Sequence, residues 1–184
     1  MELNQWFEKG MTYDEYVEQM TRNKEEMLSI AERLVLPNDL VEKAESLKDL
    51  NLRAIAITED WCGDAMVNNP VLMAIAKVAN IDVHFILRDQ NLELMDQYLT
   101  NGTSRSIPIY VFLDREGNEY AVWGPRAKEV QDFVSSERAK LPPQDAPDFQ
   151  EKQKELFKAM KRKFLEDETL WTNIATSILE KLVK

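Results

Sequence analysis

The sequence predicts an α/β fold in which a mixed central sheet is flanked by helices, with further helical segments at both ends of the chain. Three observations carry this. Residues 53–57 and 82–87 read as strands on either side of a helical stretch, which makes a strand-helix-strand unit with a parallel pair. Residues 109–113 and 119–123 flank Asp114-Arg115-Glu116-Gly117-Asn118, a hairpin signal that adds an antiparallel pair. Before and after this region the apolar residues recur at helical intervals.

Taken in order, the first fifty residues read as helical. Thr12-Tyr13-Asp14-Glu15 has capping-box spacing, and Tyr16, Val17, Met20, Met27, Ala31 and Leu34 follow as one apolar face. Pro37 and Asn38 stop that helix and start another, with Leu40, Val41, Ala44 and Leu47 along one side. Arg53-Ala54-Ile55-Ala56-Ile57 is short and apolar, as a strand covered on both faces should be. A helix from about Asp64 to Ala79 leads to the strand Asp82 to Leu87, which holds the chain's only histidine, His84. His84 is therefore expected to be a hydrogen-bonded core or edge residue.

A second amphipathic segment, Leu92 to Leu99, precedes a polar loop through Ser106 and then the hairpin, where Gly117 can supply a positive φ. After Gly124-Pro125 the pattern is helical again. Three prolines within Leu141 to Pro147 interrupt it, because proline cannot sit inside a regular element without losing a hydrogen bond. Two stripes close the chain: Leu156, Met160 and Phe164, then Leu170, Trp171, Ile174, Ile178, Leu179 and Leu182. Both are expected to pack on the core or on each other.

Composition excludes several function classes. A chain of 184 residues, 44% hydrophobic with four Trp, seven Phe and eight Met, can bury a full core, so disorder is not expected. A net charge of -10 repels nucleic-acid phosphates and anionic membranes, so neither is an expected partner. No apolar run approaches the roughly 20 residues that span a bilayer. Met1 to Trp6 shows no basic stretch followed by an apolar one, hence no export signal, and the expected compartment is cytoplasmic. No Gly-rich phosphate loop appears, and one His with one Cys makes a poor metal set. Neither a cofactor nor a metal is expected.

The chemistry converges on one residue. Cys62 is the only cysteine, held in Trp61-Cys62-Gly63-Asp64-Ala65 between the first strand and its helix. Pro70 follows eight residues later, Ile107-Pro108 opens the hairpin, and Gly124 closes its second strand sixteen residues after Pro108. In this order and spacing the chain resembles the thioredoxin family over residues 39–137. The resemblance leaves a helical N-terminal extension, 1–38, and a helical C-terminal extension, 138–184. It implies a thioredoxin-like fold, a helix bent at Pro70, and a cis bond before Pro108 that faces the Cys62 sulfur.

It also implies a site. Cys62 would be the catalytic thiol, and Trp61, Gly63, Asp64, Ile107 and Pro108 would bind substrate, with Ile107 pairing to the substrate backbone. Two departures restrict the chemistry. Ala65 stands where family oxidoreductases carry the second cysteine, and Ala56 where most bury the acid that takes its proton. One thiol cannot close a disulfide within its own chain.

The expected function is therefore monothiol exchange through Cys62, acting on a protein disulfide or a mixed disulfide and finished by an external, low-molecular-weight or protein thiol. The alternative is a non-catalytic binding or redox-sensing module. Cys62 precedes a helix whose free N–H groups favour a thiolate, whereas Glu59, Asp60 and Asp64 oppose one. Trp61 and Trp123-Gly124-Pro125-Arg126 are expected near its rim, and Lys158, Lys161, Arg162 and Lys163 to form a solvated basic face.

Overall fold

Four helices precede the first strand in the computed structural model, which describes residues 1–184: α1 (Leu3–Lys9), α2 (Tyr13–Gln19), α3 (Lys24–Arg33) and α4 (Asn38–Glu45). Thr12 and Glu15 form the expected capping box at the start of α2, and Glu2 and Gln5 form another at α1. The single helix expected from Thr12 to Leu36 is broken at Met20 to Asn23. Asp60 causes the break: its carboxylate accepts the N–H groups of Thr21 at 2.8 Å and Arg22 at 3.2 Å, while the Asn23 amide donates to the Asp60 carbonyl. A distant carboxylate thus replaces the intrahelical partners. Asn23 takes a left-handed conformation, α3 starts on a new axis, and Ala31, expected on the apolar face, is exposed.

The central elements follow as expected: β1 (Arg53–Thr58), α5 (Gly63–Ala79), β2 (Asp82–Leu87), α6 (Leu92–Met95), β3 (Ile109–Leu113) and β4 (Glu119–Trp123). The sheet order is β2-β1-β3-β4, with β1 parallel to β2 and antiparallel to β3, and β4 antiparallel to β3. Met11 bridges Phe85 through two backbone hydrogen bonds, so the N-terminal segment covers part of edge strand β2. The expected segment 92–99 forms only the four residues of α6. Beyond it, Arg105 forks onto the Asp96 carboxylate at 2.7 and 3.0 Å and holds the chain as a loop.

Alternation along β1 divides the core in two. Ala54 and Ala56 face Phe85, Tyr110, Phe112 and Trp123, with the inner faces of α3, α4 and α5. Ile55 and Ile57 face a smaller cluster that contains Trp6, Phe7, Leu94, Met95, Ile107 and Cys62. His84 stacks on Phe7 with ring centroids 3.9 Å apart, its Nδ1 2.6 Å from the Phe7 carbonyl oxygen.

Three helices complete the chain: α7 (Lys128–Ala139), α8 (Phe149–Glu166) and α9 (Glu168–Leu182). Every residue of the two expected C-terminal stripes is buried. Trp123 is a correction. It does not reach the rim of the site but lies 3% exposed beneath α9, stacked on Tyr110, its indole N–H donated to Ser177 Oγ at 2.9 Å. The ring buries too much apolar area to remain at an edge once α9 offers both cover and an acceptor. No helix is long and apolar enough to cross a membrane.

Candidate functional site

The loop from β1 to α5 is held by its own carboxylates. Glu59 accepts the Asp89 N–H at 2.8 Å, and Asp60 ties the loop to the turn before α3. Between these anchors and the first turn of α5 sits Cys62, in the N-cap position. Its sulfur accepts the Ala65 N–H at 3.5 Å, and its S–H donates to the Ile107 carbonyl at 3.6 Å. The residue is only 8% exposed.

These surroundings decide the contest between helix and carboxylates. Burial pushes the Cys62 thiol up to about 11, and the Asp64 carboxylate adds to that, against the opposing pull of the Ala65 and Asp64 N–H groups and Arg126. Of the three carboxylates expected to matter, only Asp64 acts on the thiol. Glu59 and Asp60 are engaged elsewhere, and desolvation raises the carboxyl of Glu59 itself above its ordinary value. At neutral pH Cys62 is a thiol, not a thiolate.

The Ile107–Pro108 peptide is cis, and so is Gly124–Pro125. Gly124 has a φ of 131°, and any Cβ there would collide with the Pro108 carbonyl, so glycine is required where β4 closes against this loop. Ile107 gives its carbonyl to Cys62, while its N–H has no hydrogen-bond partner within the chain.

The remaining expected residues spread around the sulfur. Trp61 is 42% exposed, with the Arg88 guanidinium 4.9 Å from its ring centre. Gly63 is open to solvent, with nothing within 4 Å of where a side chain would begin. Asp64 is gripped through both oxygens by Arg126, at 2.8 and 2.7 Å, and both side chains are largely shielded.

Trp61, Cys62, Gly63 and Asp64 line one side of a cleft of about 510 Å³ whose other side is built by α7 and α8. Arg138, Phe157, Met160, Lys161 and Phe164 supply that wall. Ile107 and Pro108 lie beneath the sulfur and do not line the cleft. Sequence reasoning missed the wall. Its one signal was Phe157, a large apolar residue beside the Leu156, Met160, Phe164 stripe instead of on it, and 48% exposed in the fold. Within the expected basic face, Lys161 pairs with Glu26 and Lys163 with Asp167, while Lys158 and Arg162 are exposed.

Behind the thiol, the place of the absent acid is also accounted for. Ala56 is opposite Tyr110 across β1 and β3. The Tyr110 hydroxyl donates to Asn69 at 2.7 Å, the Asn69 amide donates to the Thr58 hydroxyl at 3.1 Å, and Tyr16 meets that hydroxyl at 3.4 Å. A neutral, fully buried network fills this interior.

Comparison with known proteins agrees with this architecture. A family model described as Thioredoxin matches residues 10–140. Among solved structures, a protein of unknown function from Pseudomonas aeruginosa is similar at a TM-score of 0.72 and 18% identity, covering 98% of this chain and 96% of that one. An HIV epitope-scaffold is similar at a TM-score of 0.70, again at 18% identity with 98% and 96% coverage. At this identity the likeness is one of fold. No match was found among curated proteins.

Proposed function

Because the chain belongs to the thioredoxin family, we propose that it carries out thiol-disulfide exchange through Cys62 alone. The observation that carries this reading is the sulfur's setting: it opens onto a cleft on one side and bonds the Ile107 carbonyl on the other, beside an N–H left without a partner. A substrate backbone laid along Ile107 would bring its disulfide to Cys62.

The exchange balances without an added oxidant. Cys62 gives up its proton to solvent and its thiolate attacks one sulfur of R–S–S–R′. A Cys62–S–S–R bond forms, the S–S bond of the substrate breaks, and R′–S⁻ takes up a proton. A thiolate from a low-molecular-weight thiol or a protein then attacks the R sulfur and releases Cys62. Ala65 supplies no sulfur for this second step, so it needs another molecule.

The raised thiol sets the speed. A pKa of about 11, against an ordinary value of 9.0, lowers the thiolate population at neutral pH roughly 100-fold. Its greater intrinsic nucleophilicity returns about tenfold, leaving exchange about tenfold slower than at an ordinary cysteine. The protein is thus a slow exchanger, suited to a reducing cytoplasm where a lone thiol stays free.

A second reading rests on the same protonated thiol: a binding module in which Cys62 is a structural cap. Partner trapping tests the two. Purified protein incubated with disulfide-bearing substrates should accumulate a mixed disulfide at Cys62 by intact mass, and Cys62→Ser should abolish it. Partner capture that survives Cys62→Ser, with no adduct in the wild type even at high pH, would establish the binding module instead.

A further inference from the structure

The cleft over Cys62 carries a charge that the rest of the molecule does not. The chain as a whole is strongly acidic, at -10, yet the cleft is lined by Arg126, Arg138 and Lys161 against the single carboxylate of Asp64. Two of these cations are spent. Arg126 is forked onto Asp64, and Lys161 pairs with Glu26 at 2.8 Å. Arg138 is exposed and has neither an ion pair nor a side-chain hydrogen bond.

The apolar part of the lining is Trp61, Phe157, Met160 and Phe164, with Trp61 and Phe157 open to solvent, and the one uncharged polar side chain, Asn23, donates its amide to the Asp60 carbonyl. A volume of about 510 Å³ lies within the range of small-molecule sites. From this we infer that the cleft binds a low-molecular-weight thiol, or its disulfide, that carries a carboxylate, with the sulfur directed to Cys62 and the carboxylate to Arg138. This rests on the exchange reading above and names its substrate class. A guanidinium offers a carboxylate two parallel donors, which fixes orientation as well as attraction. A large polyanion would meet the repulsion of the whole acidic surface, whereas a small carboxylate inside the cleft is nearest to its cations.

The test uses the full-length chain and three disulfides of similar reach: 3,3′-dithiodipropionate (anionic), 2-hydroxyethyl disulfide (neutral) and cystamine (cationic). Mixed-disulfide formation at Cys62 is followed by intact mass at low salt, each rate divided by that of the same disulfide with free cysteine. The normalised rate for the anionic disulfide should exceed that for cystamine about fivefold, and salt near about 0.5 M should flatten the difference. Arg138→Gln should remove most of the preference, read as the ratio of the anionic to the neutral disulfide's normalised rate.

Equal normalised rates, or a preference untouched by Arg138→Gln, would overturn the inference and leave the exchange reading standing. If none of the three reacts, the exchange reading falls. The cleft is then tested by calorimetry with S-methylglutathione against its dimethyl ester. Arg138-dependent tighter binding of the acid supports the inference, and indifference between the two ends it.

Discussion

Cys62 shows how burial outweighs a helix terminus. The N–H groups of Asp64 and Ala65 do lower its pKa, but an exposure of only 8% removes water that would otherwise solvate the anion, and desolvation is the largest effect. Alkylation by iodoacetamide at pH 7 should therefore be slower than that of free cysteine and rise about tenfold per pH unit until the thiol titrates. Asp64→Asn removes the one carboxylate that disfavours the thiolate and frees the Arg126 charge, so it should accelerate alkylation several-fold. Asp60→Asn should not. Stability carries the same signature. Since the folded pKa of about 11 lies above the ordinary 9.0, the contribution of the protonated thiol is intact below pH 9 and lost as pH rises through 11. Chemical denaturation across that window should reveal a loss of about 3 kcal/mol that Cys62→Ala lacks. Tyr16, pushed up to about 12 chiefly by burial, titrates in both proteins.

Among the elements, α9 does the most to bind the C-terminal extension to the sheet. Leu170, Trp171, Ile174, Ile178, Leu179 and Leu182 form its buried face, and the Trp123 indole and Tyr120 hydroxyl bond to Ser177 and to the Leu182 carbonyl. Ile178→Ala leaves a cavity at a fully buried position and should cost about 2–5 kcal/mol, read as a lower denaturation midpoint. The stripe behind this role was plain at helical spacing. The turn before α3 was not, because it exists only where Asp60 captures the Thr21 and Arg22 N–H groups across a separation of about forty residues.

For the molecule as a whole, a single thiol and a neutral interior define what the fold can do. With Ala65 beside Cys62 and Ala56 facing Tyr110, the resolving sulfur is absent and no acid stands at position 56. Wild type should therefore give no turnover in a reductase-coupled insulin reduction assay. Ala65→Cys should gain measurable but low turnover, since the interior has only the Tyr110, Asn69, Thr58 and Tyr16 network to offer the second thiol.

The strand-helix-strand unit, the hairpin and the N-cap position of Cys62 are local facts of pattern and spacing, and the sequence by itself determined them. Tertiary structure alone decided that Trp123 is covered, that α7 and α8 wall the cleft, and that the thiol stays protonated. The reason is physical. Periodicity reports which face of an element is apolar, whereas burial and pairing depend on which distant element covers that face, and the free energy of a charge follows from the burial.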